Sequence, residues 1–391
     1  MGKCAYNHDT TQASHHGPLT TDDLSDSVVL PAFREVQVNN GFDWYGIRNV
    51  KTLASFNCLR GGRLAVPGLP GVLRRPTRDI TYSVSDAQRF PEPPPTHQGS
   101  PFNSLTRALE ILTPDTDPSS LAVITTAGCL RRLAAFLSRH PRSERLNLEF
   151  RDGTLFMSRW EGDGRLHHHL GLGKQFEEDT RRFAAGLGES LSSHVVAGYE
   201  IGGLKMAVQI EVDAFECDCH APSILLSPTT RRGSLASKMR RSSVGGGGRY
   251  DALSLIDDGE DGSVTEGILR VGSMIKLSCA VEIKTRMRGR KELFPYLPQL
   301  YFQQIPRVFL AIRDNRRFAA DDMALRDESE NLMAWEAENQ VVLARLVALL
   351  RDVRAEAERM AVSSGECKMA LVLMAEGGGR EALLYRQVGE A

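Results

Sequence analysis

Apolar and polar positions alternate along this chain with two different periods, and each change of period marks a predicted element. Apolar residues three and four apart indicate the buried face of a helix, whereas apolar residues two apart indicate the buried face of a strand. Helices are predicted over residues 103–112, 129–139, 174–187 and 328–360, and strands within residues 121–126, 147–160, 195–215, 268–285, 300–312 and 369–374. This mixture predicts an α+β fold with a central mixed β-sheet flanked by helices.

Two stretches of the chain lack this patterning. Residues 1–28 are polar and rich in His, Thr and Ser, so we predict a disordered tail. From about residue 221 to about residue 268 the chain carries two Arg-Arg-x-Ser sequences, four consecutive glycines and an acidic run. Such a composition cannot bury enough apolar surface to order itself. We therefore predict a single domain over residues 29–391, with a disordered insertion at about 221–268.

Composition narrows the class of protein without naming a ligand. The 48 Lys and Arg residues balance 49 Asp and Glu residues, so net charge gives no argument for nucleic acid. Runs of about 18 apolar residues are absent, and no membrane span is expected. The seven cysteines lack the spacing of a disulfide framework, which is typical of a reducing compartment. We expect an intracellular protein, in the nucleus or the cytoplasm.

Two short acidic motifs are the strongest candidates for chemistry. Residues two apart on a strand share a face, so Glu211 and Asp213 are predicted to project together, as are Glu282 and Lys284. If the two strands are neighbours, three carboxylates converge and need a cation between them. Mg²⁺ or Mn²⁺ is the expected ion, and such a centre suits hydrolysis of phosphodiester or pyrophosphate bonds. Both motifs are common by chance, so two ordinary half-exposed strands remain an alternative.

The order of five motifs along the chain resembles a known family. They are Arg159 at the end of a strand, Gly173-Lys174-Gln175-Phe176-Glu177, Glu211-Val212-Asp213, Glu282-Ile283-Lys284-Thr285, and Gln299 ahead of Ile305-Pro306. The chain resembles the DXO-like decapping exoribonucleases, which are relatives of the PD-(D/E)XK nucleases, and within them the divergent fungal branch. The segments Leu53-Ala54-Ser55-Phe56-Asn57 and Val66-Pro67-Gly68 are also similar to that branch.

This resemblance, which runs from about Leu53 to Ile312, implies a decapping-nuclease fold and an RNA 5′ end as substrate. The reaction would be removal of incomplete or unusual caps, pyrophosphate hydrolysis or 5′–3′ exonuclease digestion, in mRNA decapping and RNA quality control. An exoribonuclease or another protein is a candidate partner. By analogy, Glu177, Asp213 and Glu282 would ligate metal beside a catalytic Glu211, Lys284 and Gln299 would position water or the scissile phosphate, and Arg159 would contact 5′-terminal phosphates. Arg165 is an alternative equivalent of Arg159.

Several other interpretations stay open. A protein of the same fold could bind RNA ends or a partner without catalysis, and a DNA nuclease would need the same metal centre. The boxes at residues 22–26 and 257–261 match the D-D-x-x-D signature of polyprenyl synthases, but one lies in the predicted tail and the other in the predicted insertion. A zinc site at Cys217-Asp218-Cys219-His220 lacks paired ligands elsewhere. The adjacent histidines at 167–169 are interpreted as a solvated loop.

Overall fold

A computed structural model describes residues 23–31, 44–83, 100–138, 142–160, 172–216, 254–256, 267–289, 296–362, 366–376 and 379–387. Their helices are α1 (Asn103–Leu112), α2 (Ala127–Leu137), α3 (Leu172–Asp179), α4 (Leu297–Gln303), α5 (Ser329–Glu338) and α6 (Gln340–Ala361). Their strands are β1 (Leu24–Leu30), β2 (Ile47–Leu59), β3 (Leu64–Gly68), β4 (Val72–Leu73), β5 (Ile80–Thr81), β6 (Val123–Thr126), β7 (Glu144–Arg151), β8 (Thr154–Arg159), β9 (Arg181–Arg182), β10 (Ser190–Ile201), β11 (Leu204–Glu211), β12 (Ala214–Phe215), β13 (Ser254–Ile256), β14 (Ile268–Gly272), β15 (Ala280–Met287), β16 (Arg307–Asp314), β17 (Arg317–Asp327), β18 (Glu366–Glu376) and β19 (Gly379–Gln387).

The larger sheet has the strand order β1-β19-β18-β7-β8-β6-β11-β10-β2-β3-β14-β13. Strands β8, β6 and β11 are parallel neighbours, so their carboxyl ends meet at one edge. One face of this sheet packs against α2, α4 and α6, and the other packs against α1. Helices therefore cover both faces of a mixed sheet, which confirms the predicted fold class.

A second, smaller sheet has the order β5-β17-β16-β15-β12-β4-β9. Helix α3 covers it through Phe176, which stacks on Phe318 at 4.6 Å and on Phe309 at 6.0 Å between ring centroids. Val281 and Ile283 of β15 join the same apolar cluster. Burying one phenylalanine of this kind contributes about 2 to 3 kcal/mol, so α3 is held firmly on β15. This placement fixes the position of the motif Gly173-Lys174-Gln175-Phe176-Glu177, the G-x-x-F-E box.

Cross-strand pairing orders a short part of each stretch that was predicted to be unstructured. Residues 24–28, assigned to the tail, lie in β1, which pairs antiparallel with β19. Residues 254–256, assigned to the insertion, form β13 against β14. Both stretches were judged from local composition, whereas the hydrogen bonds that order them come from strands distant in sequence.

Two predicted helices have different bounds in the structure. The helix expected over 174–187 ends at Asp179, because the two residues after Thr180 pair with β4. The helix expected over 328–360 is two helices. Asn339 separates them with backbone angles outside the helical region (φ −107°, ψ 18°).

One residue of the acidic box at residues 22–26, Asp23, forms a structural ion pair. Asp23 accepts two hydrogen bonds from the Arg145 guanidinium, which is almost fully buried and lies 4.7 Å from the Trp160 ring centroid. That ion pair makes Asp23 a poor magnesium ligand. The other box, Arg165, the three histidines and the Cys217–His220 cluster lie outside the described residues. Within the described ranges, no helix is long and apolar enough to cross a membrane.

Candidate metal centre

The acid–apolar–acid motif spans a change of sheet. Strand β11 ends at Glu211, Val212 donates its amide to the Ser193 carbonyl at 2.9 Å, and the chain then enters β12 in the second sheet. The prediction that Glu211 and Asp213 lie on one strand is therefore wrong, because Asp213 lies in the link between the two sheets. The neighbours of β15 are β12 and β16, and not β11. This crossing carries Asp213 towards the second acidic motif.

Asp213 and Glu282 meet at the start of β15. The backbone amide of Ile283 donates to Asp213 Oδ2 at 2.8 Å. Glu282 is 3% exposed, and its Oε1 accepts from Lys284 Nζ at 2.6 Å and from Gln299 Nε2 at 2.6 Å. The structure thus brings together four of the predicted residues: Asp213, Glu282, Lys284 and Gln299. As predicted, Glu282 and Lys284 share a face.

Helix α3 brings the third predicted ligand to the same place. Gly173 begins the box, and a Cβ added there would lie 3.1 Å from Thr285 Oγ1, so a larger residue would press α3 away from β15. Glu177 follows one turn later and accepts from Lys174 Nζ at 3.0 Å. Lys174 was not singled out from the sequence. Its i, i+3 spacing from Glu177 on a helix is the signal that would have found it.

The electrostatics of these residues confirm that their charges are close. Burial raises the pKa of Asp213 well above its usual value, and the carboxylates of Glu282 and Glu177 raise it further. Burial alone would lower the pKa of Lys284, but Glu282 and Asp213 more than offset that effect and raise it. The pKa of Lys174 is also raised, because Glu177 offsets the burial of the ammonium group. The raised pKa values of Asp213 and of both lysines indicate an excess of negative potential at this place.

In the arrangement observed, the carboxylates of this centre are only partly placed to bind a hard divalent cation. Among the described residues, no group of three or more His, Cys, Asp or Glu side chains is close enough to hold a metal ion. The lysines Lys174 and Lys284 instead engage one oxygen each of Glu177 and Glu282. The second oxygen of Glu282, Oε2, is buried and has no hydrogen-bond partner. An orphaned carboxylate oxygen of this kind is costly unless a cation binds it, so the residues fit a metal after small side-chain movements.

The two remaining predicted residues lie at the rim. Glu211 is exposed at the end of β11, where its charge reaches Lys174. Arg159 is exposed at the end of β8, at the same edge of the larger sheet. Two strand spacings separate these ends, which corresponds to roughly 10 Å. Arg159 has no hydrogen bond or ion pair with another described residue, so it shares this edge of the sheet with Glu211 without contacting the carboxylates.

Comparisons with solved structures identify proteins of the same fold. The chain has the fold of solved Rai1 and Dxo1 structures. Rai1 of Scheffersomyces stipitis, in complex with (3′-NADP)⁺ and calcium ion, is 17% identical with a TM-score of 0.56, covering 88% of this chain and 91% of that chain. Rai1 of Candida albicans, in complex with pU5-Mn²⁺, is 13% identical with a TM-score of 0.55, covering 94% of each. K. lactis Dxo1, in complex with manganese, is 9% identical with a TM-score of 0.53, covering 93% and 98%.

Sequence comparison assigns the chain to a family. The chain belongs to the family described as "Domain of unknown function (DUF8563)", whose sequence model matches residues 35–373. No curated protein sequence matches the chain. The resemblance to DXO-like proteins is therefore confirmed at the level of the fold.

Proposed function

We propose that this protein is a divalent-metal-dependent hydrolase that acts on the 5′ ends of RNA. The observation that carries the proposal is the buried, unpartnered Oε2 of Glu282, held beside Asp213 and within electrostatic reach of Glu177. Buried carboxylates are stabilised by ion pairs, hydrogen bonds or bound cations, and this oxygen of Glu282 is available for a cation. The C. albicans and K. lactis neighbours are in complexes that contain Mn²⁺ or manganese, which supports Mn²⁺ or Mg²⁺ here.

Each residue has a separate part in this proposal. Glu177, Asp213 and Glu282 would hold the metal, which when bound polarises the phosphoryl group and makes a nucleophile from water. Lys284 and Gln299 hold Glu282 by one oxygen, so its other oxygen stays free for the ion. On substrate binding, the Lys284 ammonium is positioned to offset charge on the scissile phosphate. Glu211 would orient the attacking water from the rim.

Arg159 defines the substrate end in the same proposal. A guanidinium donates paired hydrogen bonds to phosphate oxygens, and this one is free of protein partners among the described residues. It would bind the 5′-terminal phosphates of an RNA whose scissile bond lies at the metal. The substrates would be incomplete or unusual caps, a 5′ triphosphate, or the nucleotides behind them, in intracellular RNA quality control.

One observation favours a second candidate, an RNA-end-binding protein without catalysis. Lys174 and Lys284 pair with the carboxylates that would otherwise ligate metal, and the described residues form no three-ligand group. If the two lysines stayed in these ion pairs, they would neutralise Glu177 and Glu282 and keep both carboxylates from binding a metal ion. The two candidates differ in one property, which is whether a divalent ion displaces the lysines.

The deciding experiment follows both binding and hydrolysis. Wild-type protein and Glu282→Gln are incubated with 5′-labelled capped, triphosphate and monophosphate RNAs, with and without Mn²⁺, and Mn²⁺ binding is measured by calorimetry. Glu282→Gln keeps the shape of the side chain and one oxygen that can accept from Lys284 and Gln299, but it loses the charge that the ion needs. Asp152→Asn is the matched control, because Asp152 is an exposed turn residue before β8, at the edge of the larger sheet opposite Glu211.

We expect Mn²⁺-dependent product from wild type and from Asp152→Asn, with product reduced at least about a hundredfold in Glu282→Gln. Equal product from wild type and Glu282→Gln would overturn the metal-site assignment. RNA-end binding with no Mn²⁺ binding and no product would establish the second candidate instead. Cleavage of DNA in place of RNA would make the protein a DNA nuclease, because the metal centre itself does not distinguish the sugar.

A further inference from the structure

Three elements bring arginines together at the edge of the larger sheet where β8 and β6 end. In the parallel β6–β8 pair, Thr125 lies opposite Met157, so Arg159 lies level with Ala127, the first residue of α2. Arg131 follows Ala127 by one helical turn and therefore lies above the same end of the sheet. On the other side of β8, Leu146 pairs with Arg159. Leu146 belongs to β7, and Arg142 lies two residues before the start of that strand.

Arg131, Arg142 and Arg159, named here the arginine cluster, have no hydrogen bond or ion pair with any residue in the described ranges. The carboxylate whose charge acts on Arg131 is that of Glu144, and it already forms an ion pair with Arg132. Three guanidinium groups thus share one location without a negative partner of their own. Neighbouring guanidinium groups repel one another, and long side chains on a surface would normally turn apart.

The electrostatics support this close arrangement. Burial lowers the pKa of Arg131, and the charges of Arg132, Arg142 and Arg159 lower it further, opposed by Glu144. Arg131 is partly buried, so it cannot relieve the repulsion by moving fully into water. Arginines that are held together despite repulsion indicate a binding site for an anion, and arginine is the side chain best matched to phosphate.

The arginine cluster lies on the side of the sheet that leads to the metal centre. Leu155 and Met157 alternate with Arg159 on β8, and both belong to the apolar core that includes α2 and Tyr301 of α4. Arg159 shares their face of the strand. Helix α4 also carries Gln299, which binds Glu282, and α2 packs against α4. The arginine cluster therefore lies at the exposed end of this packed face, beside the helix pair that holds Gln299 at the metal centre.

We infer that the arginine cluster is a phosphate-binding subsite that receives successive phosphate groups of the RNA, with Arg131 and Arg142 extending the contact made by Arg159. This inference rests on the proposed function and adds to it two residues that bind substrate outside the metal centre. The phosphates could belong to the 5′ terminus or to the backbone behind it. Both sources present the same oxygens, and the length and 5′ group of the RNA distinguish them.

The test is equilibrium binding in EDTA, where hydrolysis cannot interfere. Fluorescence anisotropy is measured for one short RNA sequence carrying a 5′ triphosphate, a 5′ monophosphate or a 5′ hydroxyl, over a series of salt concentrations. The variants are Arg131→Gln and Arg142→Gln. The matched control is Arg48→Gln, since Arg48 is exposed at the start of β2, at the opposite edge of the larger sheet.

We expect each cluster variant to weaken binding by about tenfold and to reduce the slope of log K against log salt by about 0.7 for each phosphate that the variant no longer binds. Arg48→Gln should keep both values. Weaker binding of the triphosphate RNA alone would assign the cluster to the 5′ terminus, and equal weakening for all three RNAs would assign it to the backbone. Affinities and slopes equal to wild type in both cluster variants would overturn the inference.

Thermal unfolding separates a binding role from a structural one. Removing one charge from a repelling cluster should leave the melting temperature of Arg131→Gln unchanged or raise it. A fall in melting temperature for Arg131→Gln, together with wild-type RNA binding by Arg142→Gln, would show that the cluster is structural. RNA binding that depends on the cluster, without Mn²⁺-dependent product, would refute the proposed hydrolase and keep the subsite. Absence of RNA binding by wild type would refute both.

Discussion

The raised pKa of Asp213 gives the most direct test of the candidate metal centre. Its carboxylate is buried close to Glu282 and Glu177, and these three effects favour the protonated form in the folded protein. The perturbation is Asp213→Asn, which keeps the size of the side chain and removes the charge. The expected consequence is a change in how the stability of the metal-free protein depends on pH.

The sign follows from proton binding in the two states. An unfolded aspartate ionises with a pKa of about 3.9, whereas folded Asp213 keeps its proton to a higher pH. Between these two pKa values the folded state binds one more proton, so stability falls as pH rises, by about 1.4 kcal/mol per pH unit. Lys284 adds nothing to this slope near neutral pH, because its pKa is raised from an already basic value.

The assay is chemical denaturation in EDTA at several values between about pH 5 and about pH 8. The quantity of interest is the difference in unfolding free energy between wild type and Asp213→Asn, since histidines and other groups titrate alike in both. Acids with lowered pKa values, such as Asp327, titrate below this window. Asp152→Asn is the control, because its exposed position with φ 50° accepts asparagine without strain.

We expect Asp213→Asn to gain stability over wild type as pH rises, and Asp152→Asn to run parallel to wild type. Adding Mn²⁺ at about a hundred times its dissociation constant should then stabilise wild type by about 2.7 kcal/mol and Asp213→Asn by much less. Parallel curves for wild type and Asp213→Asn in EDTA would refute the raised pKa. Equal stabilisation of both proteins by Mn²⁺ would refute Asp213 as a ligand.

Three further predictions concern how the fold holds the site. Phe176→Ala should cost about 3 to 5 kcal/mol by denaturation, because its ring fills the cluster between α3 and the second sheet, and a loss below about 1 kcal/mol would contradict this packing. Gly173→Val should weaken Mn²⁺ binding by roughly tenfold in calorimetry, since the new side chain meets Thr285 Oγ1 and displaces α3; unchanged affinity would show that α3 does not position a ligand. Asn57→Ala should cost about 2 to 4 kcal/mol, because Asn57 forms two hydrogen bonds with the Leu69 backbone at 2.9 and 3.0 Å, and an unchanged denaturation midpoint would be inconsistent with them.

The amino-acid sequence by itself determined the elements whose cause is local. The Asp152-Gly153 hairpin forms because both residues take positive φ values (50° and 76°), which the sequence pair favours. Helix α1 begins and ends as its leucine spacing predicts, over Asn103–Leu112. The shared face of Glu282 and Lys284 follows from strand alternation alone and is confirmed at 2.6 Å.

Other features of the candidate site depended on the tertiary structure. The sequence does not show that the chain leaves one sheet after Glu211 and delivers Asp213 to another, because that crossing is decided by which distant strand pairs with β12. The approach of Glu177 depends on α3 packing against β15, and the arginine cluster depends on β7, β8 and α2 meeting at one edge. Local residue preferences set the period of a segment, but burial and strand pairing between segments far apart in sequence set where charges meet.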